Sequence, residues 1–219
     1  MNAAAGLTAV SLYLIAAVAA RAFYPTSFGP LENWLSDLGN NDLNPAGALF
    51  YRLGGIFGGA GLLVFFLALD GRGWGARRAA RVLSILVRVF GAIASACFIM
   101  TGVFSEDMMP MHSWFSIANF AAFGTAIALT GLATLFVAAL PRWFAALCFA
   151  AWGFDVASAI LGHVRWLEWV VVAFLIAYVA AGSAIGLRSG RGAPGTPALR
   201  APRQLHVRIP CCQHMYIEK

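Results

Sequence analysis

The chain has 219 residues, 61% of them hydrophobic and only 11% charged, with a mean hydropathy of +0.77 and a formal net charge of +6. A soluble domain carries about 25% charged residues, and its surface does not tolerate such an excess of apolar side chains, so an ordinary soluble globule is excluded. Nucleic-acid binding is excluded as a reading of the basic charge, because the arginines lie between and after apolar segments rather than in a stripe with interleaved aromatics.

The composition calls for an all-α, polytopic integral membrane protein. A helix of about 20 mostly apolar residues crosses a bilayer core about 30 Å thick. Six segments qualify: Ala3–Phe23, Gly47–Leu69, Val82–Phe104, Trp114–Leu140, Pro141–Leu161 and Leu167–Leu187. Residues 1–187 therefore read as a six-transmembrane-helix bundle. Residues 188–219, rich in Gly, Pro and Arg, read as a basic, disordered cytoplasmic tail. The first segment has no Lys or Arg before Arg21 and reads as a retained helix rather than a cleaved signal peptide.

Between the first two spans lies a loop carrying Glu32, Asn33, Trp34, Ser36, Asp37 and Asn44-Pro45, too long for a simple connection and expected to fold back on the helices. The second span contains Gly54, Gly55, Gly58, Gly59 and Gly61, whose G-x-x-x-G spacing lets a neighbouring backbone approach closely. Packing inside the bundle is the first use of such a stripe, and homodimerisation is the other. Arg88, near the start of the third span, is expected to snorkel to headgroups. After the third span comes Ser105-Glu106-Asp107, leading to His112; Pro141 opens the fifth span, as proline does in a first helical turn.

Eleven Lys and Arg residues fall on one side of this topology (Arg72, Arg77, Arg78, Arg81, Arg142, Arg188, Arg191, Arg200, Arg203, Arg208 and Lys219) against three, Arg21, Arg52 and Arg165, on the other. The positive-inside bias then places both termini in the cytoplasm, with the cell membrane as the expected location. Glu32, Asp37, Asp42, Glu106, Asp107 and Glu168 collect on the opposite, outer side. Acidic residues contribute little to orientation, so their gathering points to a site.

Helical spacing sharpens that site. His112, Ser116 and Asn119 stand at i, i+4 and i+7 on the fourth span, and Asp155 and Ser158 at i and i+3 on the fifth, with His163 just beyond. Polar residues in a span face the bundle interior or a wet cavity, so an outward-opening polar pocket is expected. A carboxylate such as Asp155 costs about 2.5–3.5 kcal/mol at helix centre. Arg52 is a candidate ion-pair partner for it; proton handling or metal ligation are the functional alternatives.

His112, Asp107, Asp155 and His163 are metal ligands by type. No H-x-x-x-H or H-E-x-x-H spacing supports a metal site, so no cofactor is expected and a metal is the lesser reading. Met108, Met109 and Met111 with His112 form a soft-ligand cluster suited to copper(I), or equally to a lipid-facing loop. A Ser36–His–Asp triad can be written down, though a serine beside Asp37 suits a turn or helix cap as well. Cys97 and Cys148 lie in apolar segments and Cys211-Cys212 in the tail, so no disulfide framework is implied.

Tyr24-Pro25, Glu32-Asn33-Trp34-Leu35-Ser36-Asp37-Leu38-Gly39, Asn44-Pro45, Phe50-Tyr51 and Gly102-Val103-Phe104-Ser105-Glu106-Asp107 with His112 resemble the bacterial and archaeal six-helix family called domain of unknown function 998. The resemblance spans roughly residues 5–187, with Ser105 where that family usually has proline. A more distant likeness is to the Frag, DRAM and Sfk membrane proteins, which are associated with lipid and GPI-anchor handling. These resemblances imply six helices and an outward polar site, and they supply no established activity or catalytic residues. With Trp34, Trp114, Trp166 and Trp169 set at headgroup depth, the expected function is binding a lipid headgroup or small amphiphile, with membrane lipids as partners. The rival readings are a membrane-embedded lipid hydrolase, with or without a metal, and a proton- or cation-coupled carrier through Asp155.

Overall fold

A chain in hydrocarbon has to satisfy its backbone N–H and C=O groups internally, which restricts a lipid-exposed apolar segment of this kind to a helix. The computed structural model describes residues 3–69, 74, 78–137, 140–162 and 164–191, and shows that outcome. Its helices are α1 (Ala3–Ala22), α2 (Ala48–Leu67), α3 (Arg78–Val103), α4 (Met111–Phe136), α5 (Arg142–Leu161) and α6 (Arg165–Arg191). There is no strand among the described residues, and all six helices are long and apolar enough to cross a membrane. The chain is a multi-pass, all-α membrane protein.

Three helices begin before their hydropathy boundaries. α3 begins at Arg78 rather than Val82, α4 at Met111 rather than Trp114, and α6 at Arg165 rather than Leu167. Helices continue through polar turns that hydropathy excludes, because intrahelical hydrogen bonds do not require an apolar side chain. The earlier start places His112 in the first turn of α4, on the helix where its spacing with Ser116 and Asn119 sets it. At the other end α4 stops at Phe136 rather than Leu140, and α6 runs on past Leu187 to Arg191. His163, Arg72, Arg77 and residues 192–219, with Cys211 and Cys212, lie outside the described residues.

Each helix packs against its neighbour in sequence, and α6 returns to pack on α1, closing the bundle. The glycines of α2 make two of these seams. A Cβ at Gly54, Gly58 or Gly61 would press on Ala16, Tyr13 and Ala9 of α1, and one at Gly55 or Gly59 would meet Gly102 or Ile99 of α3. Both neighbours approach α2 closely because those positions carry no side chain. The stripe is thus used within one copy of the chain.

Phe65, Phe66, Ile127, Phe144 and Tyr178 are fully buried at the centre, with Tyr178 stacked on Phe144 and its hydroxyl 2.9 Å from Thr130 Oγ1. The outer surface is apolar as well: Ile15, Val18, Ile117 and Ile160 are between 67% and 77% exposed. Only 22–44% of the most apolar stretch of each helix is buried. A surface of that composition is matched by lipid and not by water.

Candidate functional site: a cavity with a polar mouth

The loop between α1 and α2 folds back onto the helices, as its length suggests. Leu35 and Leu38 join Ala20 and Tyr24 in a small buried cluster, packed against Phe28, Tyr51 and Trp169. Inside it, Ser36–Gly39 forms one 3₁₀ turn. Asp37 holds the turn by accepting from the Trp34 N–H at 3.1 Å and the Asn33 amide at 3.3 Å, as aspartates do in tight turns. Asn44, fully buried, donates from Nδ2 to the carbonyls of Ala20 and Leu38 and accepts from the Gly47 N–H.

Three further bonds draw the other acidic residues to the same end. The Leu35 N–H donates to Glu168 Oε2 at 2.8 Å, and Trp169 Nε1 to the Asn33 carbonyl at 3.0 Å, which ties the loop to α6. Asn41 Nδ2 donates to Asp107 Oδ2 at 2.9 Å, which ties it to the α3–α4 segment. Arg52 donates from Nε to the Gly102 carbonyl at 3.2 Å and from Nη2 to the Val103 carbonyl at 3.1 Å. It satisfies the last carbonyls of α3, which have no partner in their own helix.

These elements surround a cavity of about 100 Å³ walled by α1, α2, α3, α4, α6 and the 3₁₀ turn. Such a volume has room for several waters or for one slender chain. Its mouth carries Ser36, Arg52, Glu106, His112 and Glu168. Tyr13, Tyr51, Thr101, Ser116 and Asn119 follow, and the floor is Leu62, Phe123, Leu175 and Val179. At 1.5 Å per residue the floor lies about 20 Å below the helix ends at the mouth. Tyr13 and Tyr51 face each other across the α1–α2 seam, hydroxyl to hydroxyl at 2.8 Å.

One face of α4 forms a wall. His112 Nδ1 lies 2.8 Å from the Phe104 carbonyl oxygen, which only accepts, so Nδ1 carries the hydrogen. In the neutral ring Nε2 is then the acceptor, and Ser116 Oγ sits 3.2 Å from it, placed to donate. Asn119 is 6% exposed, lines the cavity, and its amide has no hydrogen-bond partner among the described residues.

Of the residues expected at a pocket, Ser36, Glu106, His112, Ser116 and Asn119 line this one. Asp37 stands behind Glu106, its carboxylate within hydrogen-bonding range of the Glu106 carboxyl. Glu32 is exposed and accepts from Ser27, and Asp107 is exposed beside Asn41. Asp155 and Ser158 take no part in the wall. Their helix, α5, packs on α4 and α6, which meet in front of it through Thr130, Phe123 and Tyr178.

The expected Arg52–Asp155 ion pair is replaced by two separate arrangements. Arg52 is engaged by the α3 carbonyls, and the Asp155 carboxylate rests against Gly124, where a Cβ would overlap it. Among the described residues no group of three or more His, Cys, Asp or Glu side chains is placed to hold a metal ion. His112, Asp107 and Asp155 are therefore not brought together as a ligand set, and His163 lies outside the described residues.

Ionisation at the mouth follows from these contacts. Burial, then the adjoining Asp37 carboxyl and the charges of Asp37 and Glu168, push Glu106 up to about 8. At neutral pH Glu106 keeps its proton, and its Oε2 is buried without a hydrogen-bond partner among the described residues. For Asp107 burial works against the charged form, but hydrogen bonds, that from Asn41 among them, outweigh it and hold the group below the usual carboxylate range.

The polar residues that sequence reasoning left out of the pocket are Glu168, Tyr13, Tyr51, Thr101 and Ser105. Glu168 stands in the first turn of α6, and nothing local tells a headgroup-facing carboxylate from one turned inward. Tyr13 did carry a signal. Tyrosine favours the ends of a span, and one at the middle of α1 indicates a polar interior. Compared with known proteins, the chain matches no family model, no curated protein and no solved structure.

Proposed function

We propose that this protein binds a small, single-tailed amphiphile in the cavity, with the polar group at the acidic end and the tail directed at the floor. The positive-inside reading turns that end away from the cytoplasm, so the ligand enters from the outer leaflet or the outer aqueous phase. The observation that carries the proposal is the gradient along one wall: Glu106, Glu168 and His112 at the mouth, then Ser116 and Asn119, then Phe123, Leu175 and Val179.

The energetics assign each half a task. For a ligand already in the bilayer, moving the tail into the cavity is close to neutral, because lipid tails are as apolar as the leucines that replace them. Discrimination then comes from the polar half, where Asn119 is buried without a protein partner. An amide that lines the cavity with no protein partner is free to hydrogen-bond a ligand's polar group in place of water.

Native mass spectrometry of the purified protein tests this. The wild type is expected to carry an amphiphile that survives detergent exchange. Val172→Trp places a large ring in the cavity wall and is expected to expel the ligand while the helical circular-dichroism signal is kept. A Val172→Trp protein that retains the full wild-type ligand content would refute the reading.

A further inference from the structure

Beyond holding an amphiphile, we propose that the cavity cleaves one: Ser116 is a nucleophile, His112 its general base, and the substrate class is the carboxylic ester of a slender acyl chain. This inference rests on the binding reading, since the acyl chain has to occupy the apolar half.

His112 makes two hydrogen bonds. A serine hydroxyl becomes a useful nucleophile when a base stands within hydrogen-bond reach and a third group fixes that base in the right tautomer. Here the Phe104 carbonyl, 2.8 Å from Nδ1, keeps the hydrogen on that nitrogen, and the Nε2 lone pair is directed at Ser116 Oγ, 3.2 Å away. The carbonyl comes from the end of α3, so the pair is oriented by tertiary structure and not only by the i, i+4 spacing. Both residues line the cavity.

Asn119 supplies an independent observation. The residue is 6% exposed, lines the same cavity one helical turn below Ser116, and its amide has no hydrogen-bond partner among the described residues. A donor held ready beside a nucleophile serves the oxygen that gains charge when a carbonyl becomes tetrahedral. The wall then reads in order as base, nucleophile and oxyanion donor, with the acyl floor beneath and the acidic mouth above, open to the leaving alcohol and to water.

The steps balance without a metal or co-reactant other than water. Ser116 Oγ attacks the ester carbonyl as its proton passes to His112 Nε2, and the carbonyl oxygen takes up negative charge near the Asn119 amide. Collapse breaks the ester C–O bond, and the alcohol departs with the proton from Nε2. Water then attacks the acyl-serine, giving a proton to Nε2. The carboxylic acid leaves, and Ser116 recovers its proton from His112.

Full-length protein in lipid nanodiscs is treated with an alkyl fluorophosphonate and, separately, with p-nitrophenyl octanoate. The wild type is expected to take up one phosphonyl group, mapped to Ser116 by peptide mass spectrometry, and to release p-nitrophenol. Ser116→Ala abolishes both, and His112→Gln slows both by about a hundredfold or more. Ser116→Cys keeps a slower hydrolysis that a thiol reagent stops, and Ser158→Ala, outside the wall, matches the wild type. A wild type that is not phosphonylated at Ser116 and turns over the ester no faster than Ser116→Ala overturns the inference. If that protein still carries an amphiphile that Val172→Trp expels, the nucleophile alone is lost and the binding reading stands.

Discussion

Glu106 makes the sharpest physical test of the mouth. Its carboxyl is half-buried against Asp37, and its pKa is pushed from 4.5 to about 8, first by burial and then by the neighbouring carboxylates. Each pKa unit is about 1.4 kcal/mol, so the full rise sets a ceiling of about 5 kcal/mol. A half-exposed group is screened by solvent, which leaves about 1–2 kcal/mol. The sign follows from proton counting. Between pH 4.5 and about 8 the folded protein keeps a proton that the unfolded chain has released, so stability falls as pH rises through that window and is level above it. Glu106→Gln has no proton to lose. The variant is expected to match the wild type near pH 4.5 and to exceed it by about 1–2 kcal/mol at pH 9, a difference of about 3–6 °C in melting temperature. Thermal unfolding in detergent from pH 4.5 to 9 measures the difference, and infrared spectroscopy should show a protonated-carboxyl band that titrates near 8 and is absent from the variant. Parallel pH profiles for the two proteins, or a band lost already near pH 4.5, would refute the account of Glu106 as a carboxyl held protonated at the mouth.

Further outcomes at three positions follow from packing. Asn44→Ala leaves the Ala20 and Leu38 carbonyls and the Gly47 N–H without their partner at a fully buried position, and thermal unfolding is expected to show a loss of about 2–4 kcal/mol. Asn44→Asp fares no better, because a carboxylate cannot donate to the two carbonyls. Gly59→Leu drives a side chain into Ile99 and the α3 backbone and is expected to cost about 1–3 kcal/mol or more. Gly153→Ala on α5 meets open space and is expected to gain up to about 1 kcal/mol from helix propensity.

The number of spans was legible because hydropathy is a property of consecutive residues. The line of His112, Ser116 and Asn119 was legible for a related reason, since phase along one helix is set by its own geometry. The gathering of Asp37, Glu106 and Glu168 at one end followed from alternating the direction of successive spans. Less was visible where two elements had to be related to each other. Asp155 and Ser158 share a face, yet nothing in their spacing tells whether that face meets a cavity or another helix. In water a buried face announces itself by being apolar. In lipid both faces are apolar, so hydropathy carries little information about helix rotation.

By itself the sequence determined a membrane-spanning, six-helix chain, an acidic end opposite an arginine-rich one, and a polar stripe on α4. The tertiary structure decided the rest. It set α5 outside the cavity wall, turned Glu168 to the Leu35 N–H, and brought the Phe104 carbonyl to His112 Nδ1. It also gave Arg52 to the carbonyls of α3 in place of Asp155. Each of these relations joins side chain or backbone from two elements across a packed seam, and close packing of small residues fixes such seams through contacts that no single segment contains.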